Sequence, residues 1–365
     1  MESVEIAIVG AGPVGLTLAG LLAQRGVTVA VLERRRERSP HSRAIGIHPP
    51  AQDVLRALGL GEALATEAVA IGGGQVFYGE SRLGRLALPE APMALPQART
   101  ETLLEAHLKI LAPRALRLGA EVSELKQGID CIQIFCKSGE ALTAKLLVGC
   151  DGTNSTVRTL ADIKRTGSTY PDRYLMGDFT DNTAFGSDAA LFFSHEGIVE
   201  SFPLPHCQRR WVARLRDSQT ALTVDSLGAL VFARTGQTIP LTTCSWLSPF
   251  GIEGFVAETF LKGRVALLGD AAHVVSPIGG QGMNLGILGA DTLAQAWNGL
   301  PESLEHALAT HHHVAKRVAR RAAFNTHMGR PLPALSARRA LITLALRLPR
   351  LSQKFGEVFT MRDLA

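Results

Sequence analysis

Closely spaced cysteines are missing from this sequence. Its five, Cys131, Cys136, Cys150, Cys207 and Cys244, form no Cys-x-x-Cys pair, so neither a zinc site nor a disulfide framework is suggested, and a reducing cytoplasm is the expected compartment. No apolar run reaches the about 20 residues a bilayer-spanning helix needs. Glu2 and Glu5 at the start leave no room for the basic and apolar regions of a secretory leader. Internal repeats and low-complexity linkers are also missing. A soluble or peripheral protein of the cytoplasm is expected.

Carboxylates are missing from one stretch. Between Val314 and Gly356 stand ten Lys or Arg and no Asp or Glu, so against a net charge of +5 the rest of the chain carries about −5. A solvated helix face packed on the body is the plainer reading, and contact with anionic lipid is the other. Nucleic acid is not expected, because no recognition motif accompanies the charge.

What is present is a large apolar content, 46% of 365 residues, enough for a sizeable core and two intimately joined domains. The start organises the rest. Residues 4–9 are a buried-strand run, followed by Gly10-Ala11-Gly12-Pro13-Val14-Gly15 and a run of small and apolar residues to Gln24. Gly10 permits the sharp turn off the strand, Gly12 removes a side chain where a pyrophosphate must approach the amides, and Gly15 lets the helix lie close to the sheet. A second buried run, residues 27–32, ends in Glu33, at the distance where a dinucleotide fold places the carboxylate that accepts hydrogen bonds from ribose hydroxyls. The order strand, glycine turn, helix, strand, acid predicts a dinucleotide site.

Further along, Arg43 sits in a segment bounded by Gly and Pro, where its guanidinium can reach a phosphate, whereas residues 35–38 read as a solvated loop. Helices are expected over 51–60 and 100–118, and a hairpin over 75–88 with its turn at 79–84. From about 170 to 261 the pattern becomes short alternating strands, among them 190–194, 198–203, 211–215 and 242–247, an antiparallel sheet. Residues 264–270 return to the buried parallel type, and helices follow Gly282. The fold class is therefore α/β plus an antiparallel sheet: a Rossmann-like nucleotide domain interrupted by a β-sheet substrate domain, with a helical C-terminus. The expected parts are 1–75, 99–170 and 263–330 for the nucleotide domain, a hairpin at 76–98, the sheet at 171–262, and a basic helical segment at 331–365.

Three segments together, residues 10–15, Cys150-Asp151-Gly152-Thr153-Asn154-Ser155-Thr156-Val157-Arg158, and 269–284 (Gly269-Asp270-Ala271-Ala272-His273 through Pro277-Ile278-Gly279-Gly280-Gln281-Gly282-Met283-Asn284), resemble the fingerprints of the single-component FAD-dependent aromatic hydroxylases, the para-hydroxybenzoate hydroxylase family. The resemblance covers about residues 4–300. It implies extended FAD held by Gly10, Gly12, Pro13, Val14 and Gly15, with Glu33 on the adenosine ribose and Arg34 beside it. Arg43 and Gln97 match positions near the pyrophosphate and ribitol, with Arg99 a substitute for Gln97. Asp151 would serve flavin pyrophosphate and incoming nicotinamide, and Asp270 the ribitol. After Pro277 and Gly280-Gln281-Gly282, the amides of Met283 and Asn284 would face the flavin edge that becomes negative on reduction.

The implied activity is NAD(P)H-dependent monooxygenation of an aromatic or conjugated small molecule through a flavin C4a-hydroperoxide, with O2 as co-substrate. NADH and NADPH are not distinguished, and no second glycine fingerprint serves either. Pro277 would lie near the reacting face. His48 is a candidate for the active site, while His273 is expected to be a hydrogen-bonded structural residue and His311-His312-His313 a solvated helix face without metal. Phe193, Phe202, Arg214 and Trp246 are the substrate candidates, on strands of the sheet facing the flavin. With only Tyr78, Tyr170 and Tyr174 in the chain, the phenol-binding tyrosine pattern of the para-hydroxybenzoate enzyme is not recovered. A monomer or homodimer is expected. The alternatives are an FAD-dependent reductase of isoprenoid or lipid double bonds and a non-catalytic FAD-binding redox partner. A related halogenase is disfavoured, because Trp211, Trp246 and Trp297 form no Trp-x-Trp run.

Overall fold

The computed structural model describes residues 1–41, 43–216, 220–333 and 336–364. Ser42, part of the Arg43 segment, residues 217–219, and residues 334, 335 and 365 of the C-terminal segment lie outside the described residues. The strand Glu2–Val9 lies at the centre of the first sheet, parallel to Val29–Glu33 on one side and Ala141–Gly149 on the other. Val265–Leu267 extends the parallel order beyond Ala141–Gly149, and Leu116–Leu118 extends it beyond Val29–Glu33. All five residues of Val29–Glu33 are buried, as a parallel sheet covered on both faces requires. The helix Pro13–Gln24 packs between Gln97–Leu111 and Gln281–Ala296, and it is buried from Pro13 to Leu22. Pro13 at its first position costs no hydrogen bond.

The second sheet runs in the order His273–Val274, Trp246–Ala257, Arg165–Thr180, Gln208–Arg214, Val199–Leu204, Ala189–Phe193, Gly74–Tyr78 and Ser81–Leu86. Strand alternation gives it two faces. One carries Leu175, Phe179, Phe192, Trp211 and Ala213, and Leu227, Leu230 and Val231 of the helix Val224–Thr235 cover it. Burial of each such large side chain contributes about 1.5–3 kcal/mol. The opposite face carries Tyr174, Met176, Val212, Phe250 and Ile252, with Leu191, Phe193 and Trp246 half-buried among them. This second face looks toward the first sheet across a cleft. A small sheet of Gly46–Ile47, Met93–Ala94 and Val69–Ala70 completes the core.

The fold class and the alternation of nucleotide and sheet segments agree with expectation, while several boundaries differ for local reasons. The helix expected to Leu118 ends at Leu111, because Pro113 cannot donate and disfavours helical backbone at Ala112; Leu118 instead lies in an edge strand. Tyr78 pairs with Ser81, so the hairpin turn is confined to Gly79 and Glu80, and the charged residues beyond form an edge strand. Residues 241–243 are a single 3-10 turn after Pro240, and the strand starts at Trp246. The second helix starts at Pro49 and ends at Ala57, before Gly59 at φ 92°, and a short helix Gly61–Glu67 follows. Val224–Thr235 went unread, although Thr223 caps its start and left-handed Gly236 its end.

At the C-terminus, helices Ala337–Arg347 and Pro349–Phe359 pack on the strand Ser81–Leu86, with Leu341, Leu344, Leu348, Leu351 and Phe355 exposed. No described helix is long and apolar enough to cross a membrane.

Candidate active site

The glycine turn is built as the sequence requires. Gly10 adopts φ 103°, and a Cβ there would stand 2.4 Å from the Cys150 carbonyl oxygen, whereas a Cβ on Gly12 would meet no protein atom within 4 Å. The first glycine serves packing; the second leaves open space in front of the helix start. Glu33 accepts from the Ala11 amide at 2.9 Å and from the Arg35 amide and Nε at 2.9 and 3.0 Å. Burial works against its charge, but these bonds outweigh it and hold the carboxyl below its ordinary value. Arg38 donates to the Ala11 carbonyl and to Glu101, both at 3.0 Å, and to Glu105. The 35–38 run is therefore not wholly solvated, since Arg38 braces the turn.

The second fingerprint lies against the first. Asp151 accepts from Ser155 Oγ at 2.5 Å and from the Val157 amide at 3.0 Å. Buried Arg158 donates to the carbonyls of Thr153 and Ala271, both at 2.8 Å, tying this loop to the third fingerprint. Asp270 faces the cleft while protein crowds it elsewhere; burial pushes its carboxyl up, and a long 3.5 Å bond from Thr153 partly offsets this. Burial drives the Cys150 thiol well above its ordinary range, which keeps it protonated.

In the third fingerprint, left-handed Gly280 precedes the helix Gln281–Ala296, whose first amides have no intrahelical acceptor. Gly280, Gly282 and Met283 line the cleft, so the positive end of this helix is presented there. The side chain of Asn284 is spent on structure: Oδ1 accepts from the His48 amide at 2.7 Å, and Nδ2 donates to the carbonyls of Gly46 and Gly280 at 2.9 and 2.7 Å. Gln281 donates to the Phe359 carbonyl at 3.4 Å. His48 lines the cleft, its Nε2 3.0 Å from the Gly279 carbonyl and its Nδ1 without a partner among the described residues. A carbonyl only accepts, so Nε2 carries the hydrogen, and burial lowers the imidazole pKa to about 4, which leaves the ring neutral near pH 7.

These groups share one cleft of about 890 Å³, which runs from Gly12, Glu33, Arg34 and Arg43 past Gln97, Asp151 and Asp270 to Pro277, Ile278 and the open face of the second sheet. Pro13 and Val14 line it as well. Gly15 does not; it packs on the Gly10 carbonyl. Arg43 makes one long bond, 3.5 Å, to the Pro249 carbonyl, which leaves its guanidinium able to reach a phosphate. Gln97 bonds Glu101 at 2.8 Å. Arg99 is not at the cleft but pairs with Glu67 on the surface, because two positions along a helix turn a side chain about 200°.

Of the substrate candidates, all four lie on the cleft-side face, but only Phe202 lines the cleft. Phe193 packs against the neighbouring apolar residues, Arg214 pairs with buried Asp172 at 2.8 Å, and Trp246 stacks on His41 with Arg210 over its ring. Glu200, Arg210 and Phe359, also in the lining, were missed.

His273 is fully buried but not hydrogen-bonded: both ring nitrogens lack partners among the described residues, and it packs edge-on to buried His311 at 6.0 Å. The expected solvated face is thus partly wrong, since His311 points inward while His313 is exposed. The described residues hold no group of His, Cys, Asp and Glu able to bind a metal.

The arrangement fits FAD. An open cradle at Gly12, a cation at Arg43, a helix start at Gly280 and a carboxylate at each end are complementary to a dinucleotide with an electron-accepting ring. Comparison with known proteins agrees. An FAD binding domain family matches residues 3–326. The aromatic compound monooxygenase YhjG of Bacillus subtilis (strain 168), itself uncharacterized, is 34% identical over 305 residues, 80% of this chain and 61% of that protein. Rifampicin monooxygenase of Streptomyces venezuelae is 32% identical over 337 residues, 88% of this chain and 70% of that one. The crystal structure of p-nitrophenol 4-monooxygenase PnpA from Pseudomonas putida DLL-E4 superposes with a TM-score of 0.89 over 98% of both chains at 24% identity, a likeness of fold. The chain spans only 61% of the length of the first of these relatives. With its match over residues 3–326 and its relatedness to aromatic compound and rifampicin monooxygenases, this chain belongs to the FAD binding domain family.

Proposed function

We propose that the chain is an NAD(P)H-dependent flavoprotein monooxygenase that hydroxylates an aromatic or conjugated small molecule. The observation that carries this reading is the continuity of the cleft: one cavity joins the dinucleotide cradle to an apolar sheet face. FAD, when bound, would supply the redox chemistry of hydride acceptance and oxygen activation.

The chain's own residues divide the remaining work. The amides after Gly12 and the Arg43 guanidinium would hold the pyrophosphate, Glu33 the adenosine ribose, and Asp270 the ribitol hydroxyls. The helix start at Gly280 to Asn284 would stabilise negative charge on the bound cofactor. His48, bonded to Gly279, holds the 277–280 loop in place. Met176, Leu191, Phe202, Val212 and Phe250 line the far end, where they exclude water and orient a flat substrate. Phe359 brings the C-terminal segment to the cleft wall, edge-on to His48 at 5.9 Å.

The test is incubation of purified, FAD-saturated protein with NADH or NADPH and a panel of aromatic compounds, followed by product mass. A product heavier by one oxygen atom is expected. Gain of two hydrogens would identify a reductase, and failure of every compound to stimulate NAD(P)H oxidation would identify a non-catalytic flavin carrier.

A further inference from the structure

Glu200 is a buried carboxyl in the cleft wall that has no hydrogen-bond or ion-pair partner among the described residues. Glu200 lies mid-strand, opposite Leu191 on one neighbour and Val212 on the other, with Met176 next in the row. All four line the cleft. Glu200 is only 6% exposed, and burial alone, with no hydrogen bond or ion pair among the described residues to offset it, pushes its carboxyl up to about 7. Native interiors rarely keep an acid in this condition without a ligand to satisfy it.

The arginines that share its face of the sheet, Arg210 and Arg214, are otherwise engaged. On adjacent strands Asp178 holds Arg210 through two bonds of 2.7 and 2.8 Å, and Asp172 holds Arg214 and Arg330. The buried Tyr174 hydroxyl is pushed up by burial first and by the charge of Glu200 second. Glu253 lines the cleft beside Thr169, at the bulged end of the sheet, and His48 is neutral on Gly279. A substrate carboxylate would therefore meet Glu200, with the nearby arginines already bound to aspartates. A hydroxyl would meet an acceptor. No tyrosine lines the cleft, so none competes for that hydroxyl, and the apolar row around Glu200 suits an aromatic ring.

We infer that Glu200 accepts the hydrogen bond of a phenolic substrate and takes its proton as the ring reacts, an inference that rests on the monooxygenase reading above. The phenol O–H bond breaks, the proton bonds to a Glu200 carboxylate oxygen, and the electron pair stays on the phenol oxygen, enriching the ring carbons ortho and para to it. Glu200 becomes a neutral acid and returns the proton to solvent after product leaves. An acid near 7 is closer to a phenol near 10 than an ordinary glutamate at about 4.3, so transfer concerted with ring attack is favoured.

The test uses FAD-saturated enzyme and matched pairs of phenols and their methyl ethers, with binding followed by perturbation of the flavin spectrum. The wild type should bind phenols at least about tenfold more tightly than the ethers. Glu200→Leu should abolish that preference while retaining the flavin spectrum. Glu200→Gln should keep it, because an amide oxygen still accepts, but should lower the rate of hydroxylation about 10²-fold and remove a rise of wild-type rate with pH through about 7. Preference retained in Glu200→Leu, hydroxylation at wild-type rate in Glu200→Gln, or failure of the wild type to bind any phenol would each overturn the inference. Phenol preference that depends on Glu200 without oxygenated product would support the hydrogen bond but refute the monooxygenase reading and, with it, the proton transfer.

Discussion

Gly10 and Gly12 are two residues apart, yet the structure gives them opposite reasons for being glycine. At Gly12 the backbone is extended, φ −74° and ψ −178°, and an added Cβ meets no protein atom within 4 Å. Gly12→Ala should therefore fold. Loss of glycine at an N-cap costs at most about 1 kcal/mol, or roughly 2–4 °C in Tm. The new methyl would occupy the open space at the helix start, through which a pyrophosphate is proposed to reach the amides. Loss of one hydrogen bond to a charged group costs about 1.5–3 kcal/mol, so FAD Kd should rise about 10- to 150-fold. At Gly10 a Cβ would sit 2.4 Å from a backbone oxygen at φ 103°, so Gly10→Ala should destabilise the protein even without cofactor. Paired thermal melts of the apoprotein and calorimetric FAD titrations separate the two. Unchanged FAD affinity in Gly12→Ala would refute the claim that phosphate approaches there.

Other outcomes follow from the same geometry. His48, His273 and His311 are buried, with imidazoles held at about 4, 3 and 4; a lowered value means the unfolded chain binds more protons, so stability present above about 6.5 is lost as pH falls toward these values. His273→Leu should therefore lose about 2 kcal/mol less than the wild type between pH 6.5 and 5, measured by urea unfolding; equal losses would contradict it. Asp172→Ala leaves two arginines without their buried partner and should destabilise by about 3–5 kcal/mol, read from the urea midpoint. Arg158→Met removes the link between Thr153 and Ala271 and should weaken FAD binding about tenfold or more by calorimetry.

The nucleotide half was legible because its physics is local. A parallel strand buried on both faces must be continuously apolar, a turn that approaches phosphate must carry glycine, and both requirements appear within residues 4–33. The sheet half was legible as a sheet, and Phe202 was a candidate because it is an aromatic on one of its expected strands. Alternation does not say which residue along a face reaches the ligand: Arg214 shares the face but is consumed by Asp172, a pairing between strands invisible in sequence. Glu200 escaped for a related reason. An acid beside Ser201 reads as a solvent position, and only the pairing with Leu191 and Val212 shows that it points into an apolar row. Phe359 carries no signal at all, since its place depends on how the C-terminal helices fold back over the hairpin. By contrast Pro113, Thr223 and Gly236 were readable boundaries.

Equilibrium titration of flavin-free protein with FAD, followed by flavin fluorescence and paired with Gly12→Ala, tests the cleft most directly. Saturation at one FAD per chain in the wild type, strongly weakened in the variant, is the predicted result. No binding to properly folded wild-type protein would contradict the assignment of the cleft to a flavin.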